Sequence, residues 1–227
     1  MMFQEPRLLP WKTVIENVMF PLVVSGSLRG AAARERALSY IDKVNLSKFA
    51  NSYPHTLSGG MKQRVSIARG MAMEPDILLM DEPFAALDSL TRRKMQDELM
   101  QLWDDTHFTV LFVTHSIPEA VFLSDRVVVM YGGRIVETAP ARSLYKTPRH
   151  PYTRGLMASV PRLDGDTERP LVPIEGQPPD LASLPPGCAF AARCKDATDR
   201  CRSERPPLVE TAPGHFSACW FHDRLAA

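Results

Sequence analysis

Apolar residues recur along the first 140 positions with two different periods, and these predict alternating helices and strands. At positions 32–44 and 61–73 they return every three or four residues, as on one face of a helix. A third stripe covers 90–104, with Ser89 as its predicted N-cap. Short apolar runs predict strands at 77–80, at 108–113 and at 126–131, the last closed by Gly132-Gly133. This alternation predicts an α/β fold with crossover connections, in which strand 108–113 is buried on both faces, as in a parallel sheet.

The back of the chain differs from the front in composition. Residues 140–227 hold 13 of the 20 prolines and all four cysteines. We therefore predict a boundary near residue 140, between a domain of packed helices and strands (1–140) and a loop-rich extension (141–227). No secretory signal is recognisable, so the cysteines are expected in a reducing compartment without structural disulfides.

Charge and hydropathy exclude two classes of protein. The 27 Lys and Arg residues balance 26 Asp and Glu residues, and a net charge of +1 argues against a basic face for nucleic acid. No run reaches the roughly 18–20 apolar residues that a membrane span needs. The best candidate, 14–24, is interrupted by Glu16 and Asn17. We expect neither a nucleic-acid partner nor a membrane-spanning helix.

A Leu-Ser-Gly-Gly sequence directly precedes the predicted helix at 61–73. Gly59 and Gly60 let backbone N–H groups approach a ligand closely, and the positive end of the helix dipole points to the same place. With the Ser58 hydroxyl, this arrangement suits an anion such as phosphate. The alternative is an ordinary capped turn.

Polar residues follow two of the predicted strands. Asp81 and Glu82 end the 77–80 strand, where α/β proteins bind ligands. One carboxylate there can hold Mg²⁺ while its neighbour orients or deprotonates a water molecule. His115, after strand 108–113, could contact a terminal phosphate. Solvated acids and a structural histidine are the alternatives.

Taken in order, these motifs resemble those of an ABC-transporter ATPase. Gln4 matches the glutamine loop, residues 57–60 the signature motif, 77–82 the Walker B strand, Asp88 the D-loop and His115 the switch histidine. The run LSGGMKQR is close to diagnostic, and the resemblance covers the first domain. It implies a P-loop NTPase fold with a parallel sheet and a helical signature subdomain, and it implies ATP and Mg²⁺ as ligands.

The resemblance also implies residue roles on both sides of a two-subunit ATP sandwich. Ser58, Gly59 and Gly60 would contact the γ-phosphate of ATP held by a second ATPase subunit, and Asp88 would span the dimer interface.

On the chemical side of the site, Asp81 would bind the Mg²⁺ shell, and Glu82 would be the catalytic base that polarises the attacking water. His115 would hold the γ-phosphate and water in line, while Gln4 would sense Mg²⁺ and relay that state to the membrane subunit.

The family also implies partners and a place in the cell. Closure on ATP and opening after hydrolysis would drive permease subunits, with a solute-binding protein as an indirect partner. We therefore expect the ATP-hydrolysing subunit of an importer, peripheral on the cytoplasmic face of the inner membrane.

One family motif has no match. The P-loop G-x-x-x-x-G-K-[ST] is absent from these 227 residues, which begin almost on Gln4. We expect a truncated subunit that does not hold ATP in its own Walker site, and whose sheet has an uncovered edge and apolar surface. Two alternatives stay open. One is a non-catalytic subunit that supplies only the signature motif to a complete partner; the other is a soluble, non-transport ABC ATPase.

The tail resembles the C-terminal extension of oligopeptide/dipeptide/nickel-type ABC ATPases. Three elements carry this resemblance: HPYTRGLMASVP at 150–161, I-x-G-x-P-P at 174–179 and P-P-G-C-x-F-x-x-R-C at 185–194. Segments after Gln4 and from His115 onward resemble nitrate/taurine/sulfonate importers instead. We favour peptide-like cargo because the tail is the rarer feature.

The four cysteines are Cys188, Cys194, Cys201 and Cys219. Four soft thiolates suit a [4Fe–4S] cluster or a tetrahedral Zn²⁺, and the lack of a C-x2-C pair weakens the zinc-ribbon interpretation. The resemblance implies a cluster, which some relatives carry. His215 and His222 are minor candidate ligands, and four non-ligating thiols are the remaining alternative.

Overall fold

The structure is a computed structural model that describes residues 1–159 and 172–224. Val160 and Pro161, the end of the HPYTRGLMASVP run, lie outside the described residues. The chain forms two compact units, Met1–His115 and Ser116–Ala227, and each is described by itself.

The first unit contains the predicted helices and strands in the predicted order. Its elements are α1 (Val14–Val24), α2 (Gly30–Lys43), α3 (Gly59–Met71), β1 (Ile77–Asp81), α4 (Ser89–Thr106) and β2 (Thr109–Val113). Two 3₁₀ turns, Ser47–Phe49 and Pro54–Thr56, lie between α2 and α3. Helices α1, α2 and α3 pack on one another and bury the apolar stripes of Val18, Ile41 and Val65.

Local side-chain caps set where these helices begin. Thr13 and Glu16 form a reciprocal capping box at α1, which satisfies backbone N–H groups that no helical carbonyl reaches. At α4 the prediction is wrong by one residue. The cap is Asp88, whose carboxylate accepts from Thr91 N at 3.0 Å, and Ser89 is the first helical residue. Asp is as good an N-cap as Ser, so only the backbone geometry decides between them.

The predicted parallel sheet is confirmed for β1 and β2. They pair in parallel register from Ile77 opposite Thr109 to Asp81 opposite Val113. On the other side of β1, Met2 forms a parallel bridge, donating to Leu79 O at 2.7 Å and accepting from Asp81 N at 3.0 Å. The chain start, β1 and β2 therefore run side by side in one direction.

The prediction that β2 is buried on both faces is wrong. Leu111 is 59% and Val113 50% exposed, and Ile77 and Leu79 of β1 are also exposed. The reason is the two-residue repeat of a strand: alternate side chains of β1 pack into the core, while the other apolar face is uncovered in the described chain. On the edge away from β1, β2 has no strand partner among the described residues.

The second unit is built on an antiparallel sheet. Its elements are α5 (Ile117–Leu123), β3 (Arg126–Tyr131), β4 (Arg134–Pro140), α6 (Ala141–Lys146), α7 (Pro151–Ala158), α8 (Asp199–Ser203), β5 (Val209–Ala212) and β6 (His215–Ser217). The strand order is β3-β4-β6-β5.

The prediction that 126–131 continues the crossover pattern is wrong. β3 turns directly into β4 through Gly132 and Gly133, whose φ angles are +55° and +70°. Two consecutive positive φ values are typical of the tight turn of an antiparallel hairpin, which two glycines adopt without strain.

Strand β4 also pairs with β6 from the far end of the chain, with Glu137 opposite Ser217. Tyr131, Val136 and Leu144 pack with Phe190 of the tail in one apolar cluster. The domain boundary near residue 140, which the composition of the chain indicates, stays a prediction.

Candidate nucleotide site and cysteine cluster

Three predicted site residues meet at the carboxyl ends of β1 and β2. Register places Asp81 opposite Val113, so the residues after each strand emerge at one edge. There His115 Nδ1 lies 3.1 Å from Glu82 Oε1, and Gln4 Nε2 lies 3.4 Å from Glu82 Oε2. The Met2 bridge to β1 brings Gln4 to this edge.

The backbone holds Glu82 in an unusual conformation. Its φ is +43°, in the left-handed region that non-glycine residues rarely adopt, and its N–H donates to Val113 O at 2.9 Å. Such strain persists only where surrounding contacts fix it, and it is frequent at functional sites. The side chains of Glu82 and His115 are 28% and 72% exposed, so both are open to a substrate.

Asp81 lies beside this cluster at the end of β1. Its carboxylate makes no hydrogen bond or ion pair within the described chain, and it is partly exposed. A free carboxylate next to a second one fits the hard oxygen donors that Mg²⁺ prefers. Asp81 could therefore hold the cation, and the bound Mg²⁺ would neutralise phosphate charge.

The signature residues lie at the start of α3. Ser58 caps this helix, and its Oγ accepts from Met61 N at 3.3 Å. A methyl group built on Gly59 would meet nothing within 4 Å, whereas one on Gly60 would lie 3.0 Å from Thr91 Cγ2. The helix start is thus open on the Gly59 side, where N–H groups can reach an anion.

The structure does not join the signature to the Glu82 cluster. No hydrogen bond or ion pair connects Ser58, Gly59 or Gly60 with Glu82 or His115 in the described first unit. Asp88 lies apart from that cluster too, and it serves as the α4 cap. The hydrogen bond from the Thr91 backbone lowers the pKa of its carboxyl.

Two arginines of α3 have positions that the sequence analysis missed. Arg64 forms an ion pair with Glu98 of α4 at 2.9 Å, and only about a sixth of each side chain is exposed. Arg69 donates to Pro6 O at 2.7 Å and to Arg7 O at 2.9 Å, and burial lowers the pKa of its guanidinium. Thus α3 fixes both α4 and the segment after Gln4. The spacing of Arg64 and Arg69 along the signature helix does not predict the partner of either arginine.

The four cysteines line a single cavity of about 20 Å³ in the second unit. Burial raises the pKa of the Cys188 thiol, and it raises the pKa of Cys194 and of Cys219 to about 11. Gly187 permits this packing, because a Cβ there would lie 2.3 Å from Cys201 O. The four cysteines, which span 31 positions of the chain, thus lie in one place, as their assignment to a single site requires.

The four thiols that line the cavity are the chemical type of donor that a four-thiolate group needs, but their arrangement is not that of a metal site. No group of three or more His, Cys, Asp or Glu side chains in the described residues has the arrangement of a metal site as the chain stands. A single tetrahedral ion requires ligands within about 2.3 Å of one centre, whereas a cluster spreads them over several metal atoms. His215 does not line this cavity, and its Nε2 lies 2.6 Å from buried Glu137 Oε1. His222 is held by Cys219 O at 2.8 Å.

Comparison with known families supports both halves of the sequence interpretation. The ABC transporter family matches residues 1–85, and the family "Oligopeptide/dipeptide transporter, C-terminal region" matches residues 136–201.

Several curated proteins match nearly the whole chain. A peptide import ATP-binding protein of Brucella melitensis is 40% identical over all of this chain and 70% of its own length. The dipeptide transport ATP-binding protein DppF of Haemophilus influenzae is 36% identical over 97% of this chain and 68% of its own. The oligopeptide transport ATP-binding protein OppD of Mycobacterium tuberculosis is 43% identical over 96% of this chain, which spans 36% of that protein.

Solved structures share the fold. The ATP-binding cassette MJ0796, in a dimeric post-hydrolysis state with ADP and phosphate, matches with a TM-score of 0.54 and 39% identity over 62% of each chain. CbiO1 of Clostridium perfringens matches with a TM-score of 0.58 and 28% identity, over 63% of this chain and 57% of its own. The chain belongs to the ABC-transporter ATP-binding proteins with an oligopeptide/dipeptide-transporter C-terminal region.

Across the described ranges, the helices are all too short or too polar to cross a membrane.

Proposed function

We propose that this chain is part of the ATP-hydrolysing subunit of an ABC importer that couples ATP hydrolysis to the uptake of peptide-like solutes. The observation that carries the proposal is the cluster of Gln4, Glu82 and His115 at the ends of two parallel strands. Peptide-like cargo is preferred to nitrate or sulfonate because the relatives that match the whole chain are named for peptide import.

Glu82 is the proposed general base in this cluster. Its carboxylate can take a proton from the water that attacks the γ-phosphate, while the His115 imidazole at 3.1 Å orients that water and phosphate. The Gln4 amide, whose Nε2 lies 3.4 Å from the other carboxylate oxygen, is proposed to report whether the site is filled. Asp81 is the proposed contact to Mg²⁺, which supplies charge neutralisation at the phosphates when bound.

The signature residues are proposed to act on ATP held by a second ATPase subunit. Ser58 and Gly59 lie at an open helix start and make no polar contact to Glu82 in the described first unit, which suits a role across an interface. Asp88 is proposed to lie at that interface.

Permease subunits are the proposed membrane partners, with a solute-binding protein acting indirectly, and the subunit is proposed to lie on the cytoplasmic face of the inner membrane. We also propose the division into an ABC ATPase domain at 1–140 and an extension at 141–227. The two family matches, which end at 85 and begin at 136, support it.

The hydrolytic role is tested in the full-length protein, assembled with its permeases, by comparing Glu82→Gln and His115→Ala with an exposed control, Glu35→Gln of α2. A general base typically contributes about 10²–10⁴-fold, so both site variants should lose hydrolysis by at least about 10²-fold, while Glu82→Gln keeps ATP binding. The control should keep the wild-type rate. Hydrolysis by Glu82→Gln at the wild-type rate would eliminate the assigned base and favour a non-catalytic subunit.

We propose further that Cys188, Cys194, Cys201 and Cys219 hold a [4Fe–4S] cluster. All four line one cavity, and thiols are the donor type of such clusters. Iron, zinc and sulfide analysis of the chain purified without oxygen, with its visible absorbance, tests this. Iron and sulfide support the cluster; zinc alone, or no metal, refutes it.

A further inference from the structure

A larger cavity of the second unit lies beside the β3–β4 hairpin, and we call it the hairpin pocket. Its volume is about 160 Å³, against about 20 Å³ for the cavity of the four cysteines. An apolar cavity of about 150 Å³ is large enough to bind benzene, whereas drug-sized ligands need about 300 Å³ or more. The hairpin pocket can therefore hold a small molecule with a body of about that size, and it is too small for a nucleotide.

The walls of the hairpin pocket are mostly apolar. The apolar lining consists of Ile135, Val136, Ala189, Pro206, Pro207 and Leu208. Ile135 and Leu208 are 44% and 42% exposed, so the pocket opens to solvent. Because an apolar ligand would remove these side chains from water, a concave apolar surface of this kind is typical of a ligand site.

Backbone contacts fix the walls before any ligand arrives. Ala218 N donates to Val136 O at 2.8 Å, which joins the wall to β4, and Cys188 N donates to Cys201 O at 2.8 Å. The rings of Pro206 and Pro207 restrict the backbone on the opposite wall. A ligand that enters such a preformed pocket loses little free energy to ordering the protein.

Two arginines, Arg134 and Arg205, give the hairpin pocket its positive charge. Neither guanidinium forms a hydrogen bond or an ion pair in the part of the chain that the structure describes, and no Asp or Glu of that part lines the pocket. The Cys188 thiol in the wall is neutral at neutral pH, because burial raises its pKa. The two positive charges beside this apolar space are therefore uncompensated, which favours an anionic ligand.

We propose that the hairpin pocket binds a small carboxylate with an apolar body of about six carbon atoms, whose charged end meets Arg134 and Arg205. The two oxygens of a carboxylate match the fork of a guanidinium, which donates two parallel hydrogen bonds. Phosphate matches the pocket less well, because its other charged oxygens would face apolar walls without a partner. The inference is independent of the proposed ATP hydrolysis, whose residues belong to the first unit.

Benzoate is a suitable probe, since it joins a six-carbon ring to one carboxylate. We would titrate the full ¹⁵N-labelled chain with benzoate and follow its amide signals by nuclear magnetic resonance. We expect saturable shifts at Gly187, Ala189 and Leu208, with a dissociation constant on the order of 1 mM. Benzamide has the same shape without the charge and should bind at least about tenfold more weakly, and phosphate should give no saturable shift there.

Three arginine variants separate the pocket from general charge effects. Arg134→Gln and Arg205→Gln each replace a guanidinium by a neutral amide, and each should weaken benzoate binding about tenfold or more, because a charge-assisted pair is lost. The matched control Arg142→Gln removes an exposed arginine of α6 that does not line the pocket, and it should bind benzoate as the wild type does. The amide spectrum without benzoate checks that each variant is folded.

The comparison of benzoate with benzamide needs no variant, so it decides even if a variant is unfolded. The inference is overturned if benzoate at tenfold the expected dissociation constant gives no saturable shift at the pocket, or if benzamide binds equally well. Wild-type affinity in both Arg134→Gln and Arg205→Gln overturns it as well. Saturable shifts with phosphate as strong as those with benzoate would show a general anion surface and would also overturn it.

Discussion

Glu137 offers the sharpest test of what holds the second unit together. It is 0% exposed, and its carboxylate accepts three hydrogen bonds: at Oε1 from Arg149 N and from His215 Nε2, both at 2.6 Å, and at Oε2 from His150 N at 3.0 Å. We predict that the nearly isosteric change Glu137→Gln destabilises this unit, because an amide cannot accept at both ends.

The size of this destabilisation follows from the N–H groups that donate to Glu137. If the amide NH₂ replaces Oε2 it faces the His150 N–H, and if it is flipped it faces the Arg149 N–H. Either orientation leaves one buried backbone N–H unpaired, at a cost of about 1–3 kcal/mol. The remaining hydrogen bonds also become weaker because the amide lacks the charge of the carboxylate, which adds on the order of 1 kcal/mol. We expect a total of about 2–4 kcal/mol.

Urea unfolding of the full chain measures the change in the free energy of unfolding. The unfolding is monitored through amide hydrogen exchange in β4 and β6, which reports on the second unit. With a denaturant slope of about 2 kcal/mol/M, the midpoint should fall by about 1–2 M. The matched control is Glu210→Gln in β5, an exposed carboxylate that accepts from Gly214 N at 2.8 Å, and it should cost less than about 0.5 kcal/mol. Equal midpoints for Glu137→Gln and wild type would show that the three bonds do not stabilise the unit as argued.

Further changes test other parts of the structure. Thr13→Ala removes the α1 cap and should cost about 1 kcal/mol in chemical unfolding. Because the backbone hydrogen bond from Thr13 lowers the Glu16 pKa from 4.5, the stability from that carboxylate is present above this pH and is lost as the pH falls below it; a pH-independent difference in unfolding free energy between wild type and Glu16→Gln contradicts this. Gly187→Ala should destabilise the second unit by about 1–3 kcal/mol, because the added methyl group would contact Cys201 O. Gly133→Asn should destabilise it only slightly, because a side chain there enters open space and Asn tolerates a positive φ. Arg69→Ala should speed amide exchange in residues 7–9 without unfolding α3, and unchanged exchange there would show that its two bonds do not hold the segment.

The elements that the sequence predicted correctly are those with local causes. The β1 strand is a short apolar run that ends on acids, and α3 begins at a serine cap followed by apolar residues at helical spacing. Glu82 and His115 follow two predicted strands, and their meeting agrees with that prediction because parallel strands bring their carboxyl ends to one edge. Gln4 was assigned to this site by the family resemblance and not by the strand pattern.

What the sequence could not provide is the choice among distant partners. A β-branched run such as β3 is compatible with either a parallel or an antiparallel neighbour, and its pairing with β4 depends on the glycine turn between them. The partners of Arg64 and Arg69 lie 34 and 63 residues away, and periodicity carries no information at that separation.

Strand β4 is shared between two segments that look separate in sequence. It pairs on one edge with β3 and on the other with β6, which lies almost 80 residues later, and Glu137 ties it to His215. An engineer who grafts this tail onto another ATPase cannot cut at residue 140, because the recipient would lack the strand on which the graft folds. A graft that begins at the β3–β4 hairpin brings β4 with it, and β6 then has its partner strand within the graft.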